Sequence, residues 1–107
     1  MRFNTLIAAF IAAMIPSSLA TLNGPCSGAY SGQGACVYES DCTKNGGSYI
    51  SGFCPNDAAN IKCCVKKVQV NPYFKVGRCI PKSQCTGSYL MLDGYCPGND
   101  NVKLCIN

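Results

Sequence analysis

Ten cysteines are the residues with the most chemistry to offer in this chain of 107 residues. Their even number and their density in so short a chain are typical of a disulfide framework. A chain of this size buries too little apolar surface to offset its conformational entropy without such bridges. Each bridge contributes about 2–4 kcal/mol, mainly by restricting the unfolded chain. We therefore predict that every cysteine is bonded, which leaves no thiolate nucleophile and no zinc site.

The rest of the inventory argues against catalysis. The chain has no histidine, so the most common general base and metal ligand is missing. Its five carboxylates are scattered, and we expect Glu39 and Asp41 to be solvated or helix-end charges rather than an acid/base pair. The sequence therefore predicts a protein that is not an enzyme and that holds no cofactor and no metal.

A basic and aromatic segment between residues 65 and 78 is the best candidate for binding. It holds four cations and no acid, whereas the chain as a whole has a formal charge of +4, or +3 without Arg2. Cations attract anionic lipid headgroups, teichoic acid or polysaccharide, and aromatic rings add apolar contact or stacking. Four cations make too small a patch for us to expect nucleic-acid binding. The predicted envelope- or polymer-binding residues are Lys66, Lys67, Tyr73, Phe74, Lys75 and Arg78.

Each of the two sets of aromatic residues also has a purely structural interpretation. Tyr73 and Phe74 would fill a contact between two modules if residues 66–76 were only a solvated linker. Four further rings form either a sugar-stacking face or the small core beside the disulfides, and we favour the core. These four are Tyr49, Phe53, Tyr89 and Tyr95.

The first twenty residues read as a secretory signal peptide. Arg2 supplies the positive charge, an apolar run covers residues 5–15, and Pro16 is followed by small residues that end in Ala20. The apolar run is too short to cross a bilayer, which needs about 20 residues. We expect an extracellular protein without a transmembrane segment.

An internal repeat decides the predicted architecture. Residues 34–43 match residues 77–86 with identical cysteine spacing, residues 52–55 match 94–97, and residues 60–65 match 101–106. The repeat predicts a first module over residues 21–65 with three disulfides and a second over 77–107 with two. Residues 66–76 would form a linker between them.

The repeat also predicts one disulfide directly. Cys64 aligns with Cys105, whereas Cys63 aligns with Leu104, so Cys26 and Cys63 have no counterparts in the second module. Because a lone thiol is a liability in an oxidising compartment, we infer that these two extra cysteines are bonded to each other. The four remaining cysteines of each module allow three pairings, and spacing alone does not choose among them.

The first module resembles the β-defensins. The resemblance rests on the order Cys26, Cys36, Cys42, Cys54 and Cys63-Cys64, on the Lys66-Lys67 pair that follows, and on a bulge glycine at Gly52. It implies pairing of the first cysteine with the fifth, the second with the fourth, and the third with the sixth. The implied bridges are Cys26–Cys63, Cys36–Cys54, Cys42–Cys64 and, in the second module, Cys79–Cys96 and Cys85–Cys105. The whole chain is also similar to tandem cysteine-rich modules of fungal secreted proteins, some of them attached to cell-wall hydrolases.

We therefore predict a small disulfide-rich, mostly β protein, built from two tandem β-defensin-like modules. Each is expected to be a short three-stranded antiparallel sheet, with closing strands at residues 61–65 and 102–106. A short helical turn is expected at residues 38–42 or 81–85, and residues 68–70 alternate as an additional strand would.

Three functions are compatible with these features. The first is a defensin-like antimicrobial or effector protein that binds microbial envelopes or cell-wall polymers. The second is a non-lytic module for peptidoglycan or chitin, in which two linked copies raise avidity. The third is a protease inhibitor or toxin acting on a host protein through the loop at residues 27–35.

Overall fold

The computed structural model describes residues 22–87 and 89–107, and the predicted signal peptide lies outside them. Two antiparallel sheets carry the fold. The first sheet has the order β1-β3-β2, with β1 at Ala35–Tyr38, β2 at Ser48–Ile50 and β3 at Ile61–Val65. A six-residue helix, α1, spans Glu39–Lys44 between β1 and β2.

The second sheet has four strands rather than the three expected, in the order β4-β5-β7-β6. The additional strand is β4, which comprises only Lys67–Val68 and pairs with β5 at Gly77–Pro81. Part of the segment predicted as a linker is therefore an edge strand of this sheet. The remaining strands are β6 at Leu90–Leu92 and β7 at Val102–Ile106, and a 3₁₀ turn at Lys82–Gln84 stands where α1 stands in the first sheet.

The three strands that the sheets have in common also share their register. Cys36 lies opposite Cys63 in the first sheet, and Cys79 lies opposite Leu104 in the second. Leu104 is fully buried, so an apolar side chain occupies the place of a half-cystine. Gly34 and Gly77 precede these cysteines, and both are required for close packing. A β-carbon on Gly34 would lie 2.3 Å from the carbonyl oxygen of Cys64, and one on Gly77 would lie 2.8 Å from Ile106.

Five disulfides join the strands to the loops, and together they include all ten cysteines. Every pair has Cα atoms 5.6 to 6.0 Å apart, within the usual range for a disulfide. The bridge inferred from the repeat, Cys26–Cys63, is present. So are the four that only the β-defensin resemblance implied: Cys36–Cys54, Cys42–Cys64, Cys79–Cys96 and Cys85–Cys105.

One apolar core lies between the two sheets and includes residues from both. The first sheet and α1 contribute Ala35, Val37, Cys42 and Cys64, and the second sheet contributes Cys79, Val102, Leu104 and Ile106. We call this set the shared core. Because each sheet is too small to bury an apolar face alone, the contact between them supplies the second layer that each sheet needs.

Candidate binding hairpin

Strands β4 and β5 and the loop between them form a β-hairpin, which we call the basic hairpin (residues 67–81). Val68 and Val70 pack against the shared core. Gly77, opposite Val68 in the ladder, allows this close approach. Successive side chains in a strand point to opposite faces, so Lys67 and Arg78 lie on the outer face of the hairpin, where both are exposed.

Lys67 and Arg78 are directly opposite each other across the hairpin. The amide of Cys79 donates to the carbonyl of Lys66 at 3.0 Å, which makes the Lys67–Arg78 position a non-hydrogen-bonded pair of the ladder. Side chains approach most closely at such positions, about 4.5–5.5 Å between β-carbons, and like charges there are destabilising. The hairpin therefore holds two cations together at a cost to its own stability.

No acid compensates these cations within the described residues. The ion pairs found there are Lys62 with Glu39 at 2.7 Å, and Lys103 with Asp93 and Asp100 at 2.5 and 2.7 Å. Bonding to the Asp100 carboxylate raises the pKa of Lys103, and the same contact lowers the pKa of Asp100. Asp93 and Asp100 thus neutralise the charge of Lys103.

The loop of the basic hairpin is ordered by its own polar groups. The side-chain oxygen of Asn71 accepts the amide of Tyr73 at 2.8 Å, and the carbonyl of Asn71 accepts the amide of Phe74 at 3.3 Å. The Gln69 side chain donates to the carbonyls of Asn71, at 2.7 Å, and of Phe74. These bonds present Tyr73 at the tip with 91% of its surface exposed.

The predicted binding residues are thus only partly brought together. Lys66 lies between β3 and β4, and its ammonium group donates to the carbonyl of Tyr95 at 2.5 Å. We therefore exclude Lys66 from the binding surface. Phe74 is 40% exposed, and Lys75 is exposed on the loop. Tyr73 is too exposed to fill a contact between the sheets, so that alternative is wrong.

Sequence reasoning missed one member of this surface, Met91. Arg78 and Met91 both lie opposite Cys105, on either side of β7, so a single row across the sheet reads Lys67, Arg78, Cys105 and Met91. Met91 is 47% exposed. The outer face of the second sheet therefore presents two cations towards one edge and an apolar side chain two strands from Arg78. Only the strand order reveals this row, since Met91 is thirteen residues from Arg78 along the chain.

The other predicted aromatic set does not form a core. Tyr49, Tyr89 and Tyr95 are 36% to 45% exposed, so the expectation that they pack beside the disulfides is wrong for these three. It holds for Phe53, which packs against a disulfide cluster and against Tyr30, with ring centroids 4.6 Å apart. Tyr30 is the member of the loop at residues 27–35 that makes this contact, whereas Ser27, Gly28, Ala29 and Ser31 are exposed.

The sulfur atoms of Cys26, Cys36 and Cys54 come within 4.8 Å of one another. Each belongs to a disulfide, and a disulfide sulfur offers neither the thiolate that binds zinc nor a nucleophile. The chemistry of these donors therefore does not fit a metal ion.

The fold and the disulfides define a small, mostly β, disulfide-rich protein. No protein-family model matches the chain, and no solved structure matches it. The chain is 38% identical, over 106 residues that make up 99% of its length, to an uncharacterized secreted protein of the fungus Arthroderma benhamiae. It spans about two fifths (41%) of the length of that relative. Within the described residues, no helix is long and apolar enough to cross a membrane. The protein is secreted and extracellular.

Proposed function

We propose that this secreted protein binds anionic surfaces of microbial envelopes through the basic hairpin, in a defensin-like antimicrobial or effector role. The observation that supports this most strongly is the cross-strand pair Lys67 and Arg78. A like-charged pair at a close position, with no acid within ion-pair distance among the described residues, costs stability in the free protein. An anionic group bound between the two cations removes this cost.

The exposed tip of the hairpin favours a membrane surface over a soluble anion as the target. Tyr73 is almost fully exposed on a loop that hydrogen bonds hold in place, so little entropy is lost when its ring is buried against a surface. Tyrosine is favoured at membrane–water interfaces because it is apolar at one end and polar at the other. Met91 adds exposed apolar area on the same face of the sheet, two strands from Arg78.

Binding to lipid vesicles tests this proposal. The oxidised protein is titrated with vesicles of phosphatidylglycerol and, separately, of phosphatidylcholine. A basic side chain near an anionic surface contributes about 1 kcal/mol, so K67Q with R78Q is expected to weaken binding about 30-fold. The matched control is K44Q with K82Q, which removes the same charge from two other exposed positions.

Comparison of the two double variants separates the effect of where the cations lie from the effect of net charge. Equal weakening by both double variants would show that net charge alone drives binding, and the hairpin proposal would fail. Absence of binding to anionic vesicles would refute it as well. Tyr73→Ala is compared with Tyr49→Ala, another exposed tyrosine, and only the former is expected to weaken binding. Dye leakage from the same vesicles separates a lytic action from binding without lysis.

A further inference from the structure

A groove of about 260 Å³ lies where the two sheets meet, away from the outer face of the basic hairpin. Three parts of the chain contribute to it: the segment before β1, the junction of β1 and α1, and the turn before β7. Its volume is just below the range of about 300–1,000 Å³ that is typical of pockets for drug-sized ligands. The groove therefore has room for one ring-sized group. Its lining residues are Leu22, Asn23, Val37, Tyr38, Asp41, Gly98 and Asn99.

Asn23 connects β1 to the turn before β7 by hydrogen bonds across the groove. Its amide donates to the carbonyl of Cys36 at 2.6 Å, and its side-chain oxygen accepts the amide of Asn99 at 2.9 Å. Its carbonyl accepts the side chain of Asn101 at 2.7 Å. Asn23 makes these contacts with a φ of 65°, a left-handed conformation that asparagine tolerates better than most residues. A β-carbon on Gly98 would lie 2.6 Å from the Asn23 oxygen, so a glycine is required there.

The polar groups of the groove are not fully used by the protein. The side-chain carboxylate of Asp41 makes no hydrogen bond or ion pair with the described residues. The Asn99 side chain accepts the amide of Asn101 through Oδ1 at 2.8 Å, which leaves its Nδ2 group as a donor. Beside them stand the ring of Tyr38, which is 41% exposed, and the aliphatic side chains of Leu22 and Val37.

This combination discriminates between classes of ligand. The Asp41 carboxylate repels anions and accepts from a donor, whereas Asn99 Nδ2 requires an acceptor, which a simple cation lacks. A neutral ligand with both a donor and an acceptor satisfies both groups. An exposed aromatic ring suits the apolar face of a sugar. An acetamido substituent donates through N–H to Asp41, accepts from Asn99 and places its methyl group against Leu22, which is half-buried.

We propose that the groove between the sheets is a binding site for a neutral N-acetylated sugar ring. This inference goes beyond the basic hairpin, since it concerns another surface and an uncharged ligand. The two surfaces contain different residues, so each can fail without the other. An N-acetylhexosamine polymer presents many such rings, and a site for one ring gives weak binding to a short oligomer.

NMR titration of the ¹⁵N-labelled, oxidised protein tests the groove, with tri-N-acetylchitotriose as the probe and maltotriose and glucosamine as comparison sugars. We expect shifts of the amides of Asn23, Asp41 and Asn99 with the acetylated sugar only. Loss of a hydrogen bond to a charged group costs about 1.5–3 kcal/mol, so Asp41→Ala, which removes the acceptor, is expected to weaken binding at least about tenfold. Tyr38→Ala is expected to weaken it as well.

Matched variants keep the test decisive. Tyr49→Ala removes an exposed tyrosine from another strand, and K67Q with R78Q removes the hairpin cations; neither is expected to change sugar binding. The one-dimensional proton spectrum of each variant verifies the fold independently of the sugar. The proposal is overturned by the absence of shifts at the groove up to about 20 mM sugar, a concentration that detects binding near −2 to −3 kcal/mol. It is also overturned if shifts centre on Tyr49, or if glucosamine binds as well as the acetylated sugar.

Discussion

Removal of the Cys26–Cys63 bridge is expected to lower stability without abolishing the fold. The bridge closes a loop with a sequence separation of 37, and restriction of the unfolded chain by a loop of that length is worth about 4 kcal/mol. Both cysteines belong to a cluster separate from the shared core. The second sheet, moreover, keeps the same strand register with Leu104 in place of a half-cystine. Cys26→Ala combined with Cys63→Ala should therefore fold and keep four native bridges.

Urea unfolding without reductant measures the loss, with circular dichroism as the signal and peptide mapping to verify the remaining pairs. We expect a decrease of about 4 kcal/mol in the free energy of unfolding, with vesicle binding by the basic hairpin unchanged. A decrease below about 1 kcal/mol would show that loop closure is not the source of stabilisation. Scrambled pairing of the other eight cysteines would show that this bridge is needed to specify them, and the reasoning from the repeat would be refuted.

Three further perturbations test the packing and the charges. Gly34→Ala places a β-carbon 2.3 Å from the Cys64 carbonyl oxygen and should lower the free energy of unfolding by about 1–3 kcal/mol, measured in urea. Ser40→Ala on the exposed face of α1 should change it little. Leu104→Ala should lower the free energy of unfolding by about 2–5 kcal/mol, since the side chain is fully buried in the shared core. A smaller loss would mean that the contact between the sheets contributes little to their stability. The Lys103 ammonium lowers the pKa of Asp100, so the stability that this carboxylate contributes is present above about pH 4 and is lost as the pH falls through its folded-state pKa. Asp100→Asn should therefore make the midpoint of thermal unfolding less dependent on pH in acid, and an unchanged acid limb would contradict this.

Removal of one cation from the pair Lys67 and Arg78 is expected to change stability and vesicle binding in opposite directions. Arg78→Gln should stabilise the free protein slightly at low ionic strength, because it removes the repulsion from Lys67, and salt should diminish the gain. The same substitution should weaken binding to anionic vesicles. Thermal unfolding at two salt concentrations measures the first effect, and a loss of stability would show that Arg78 has a structural partner instead.

Local features of the fold followed well from the sequence. The strands Ile61–Val65 and Val102–Ile106 occur where the alternation and the cysteines predicted them. Prediction succeeded here because a closing strand carries its own signal, alternating apolar residues bounded by turns. The expected helical turn follows β1 of the first sheet as α1 and follows β5 of the second sheet as a shorter 3₁₀ turn.

Predictions that depended on long-range contacts fared less well. Tyr49, Tyr89 and Tyr95 were expected in a core, and the structure leaves them exposed, because the disulfides and the contact between the sheets already fill the interior. Lys66 and Lys67 are indistinguishable by composition, yet one bonds to the Tyr95 carbonyl and the other is exposed. Whether a residue in a strand faces the core depends on its pairing partner, and pairing is a property of the folded chain.

The amino-acid sequence alone determined the secreted, disulfide-rich class, the twofold repeat and the position at which Leu104 replaces a half-cystine, because each of these is written in residue type and spacing. Only the tertiary structure decided that the two sheets share one core, that Lys67 and Arg78 stand side by side, and that a groove opens beside Asn23. The physical reason is that these features depend on residues far apart in the chain, and their proximity is set by how the sheets pack against each other.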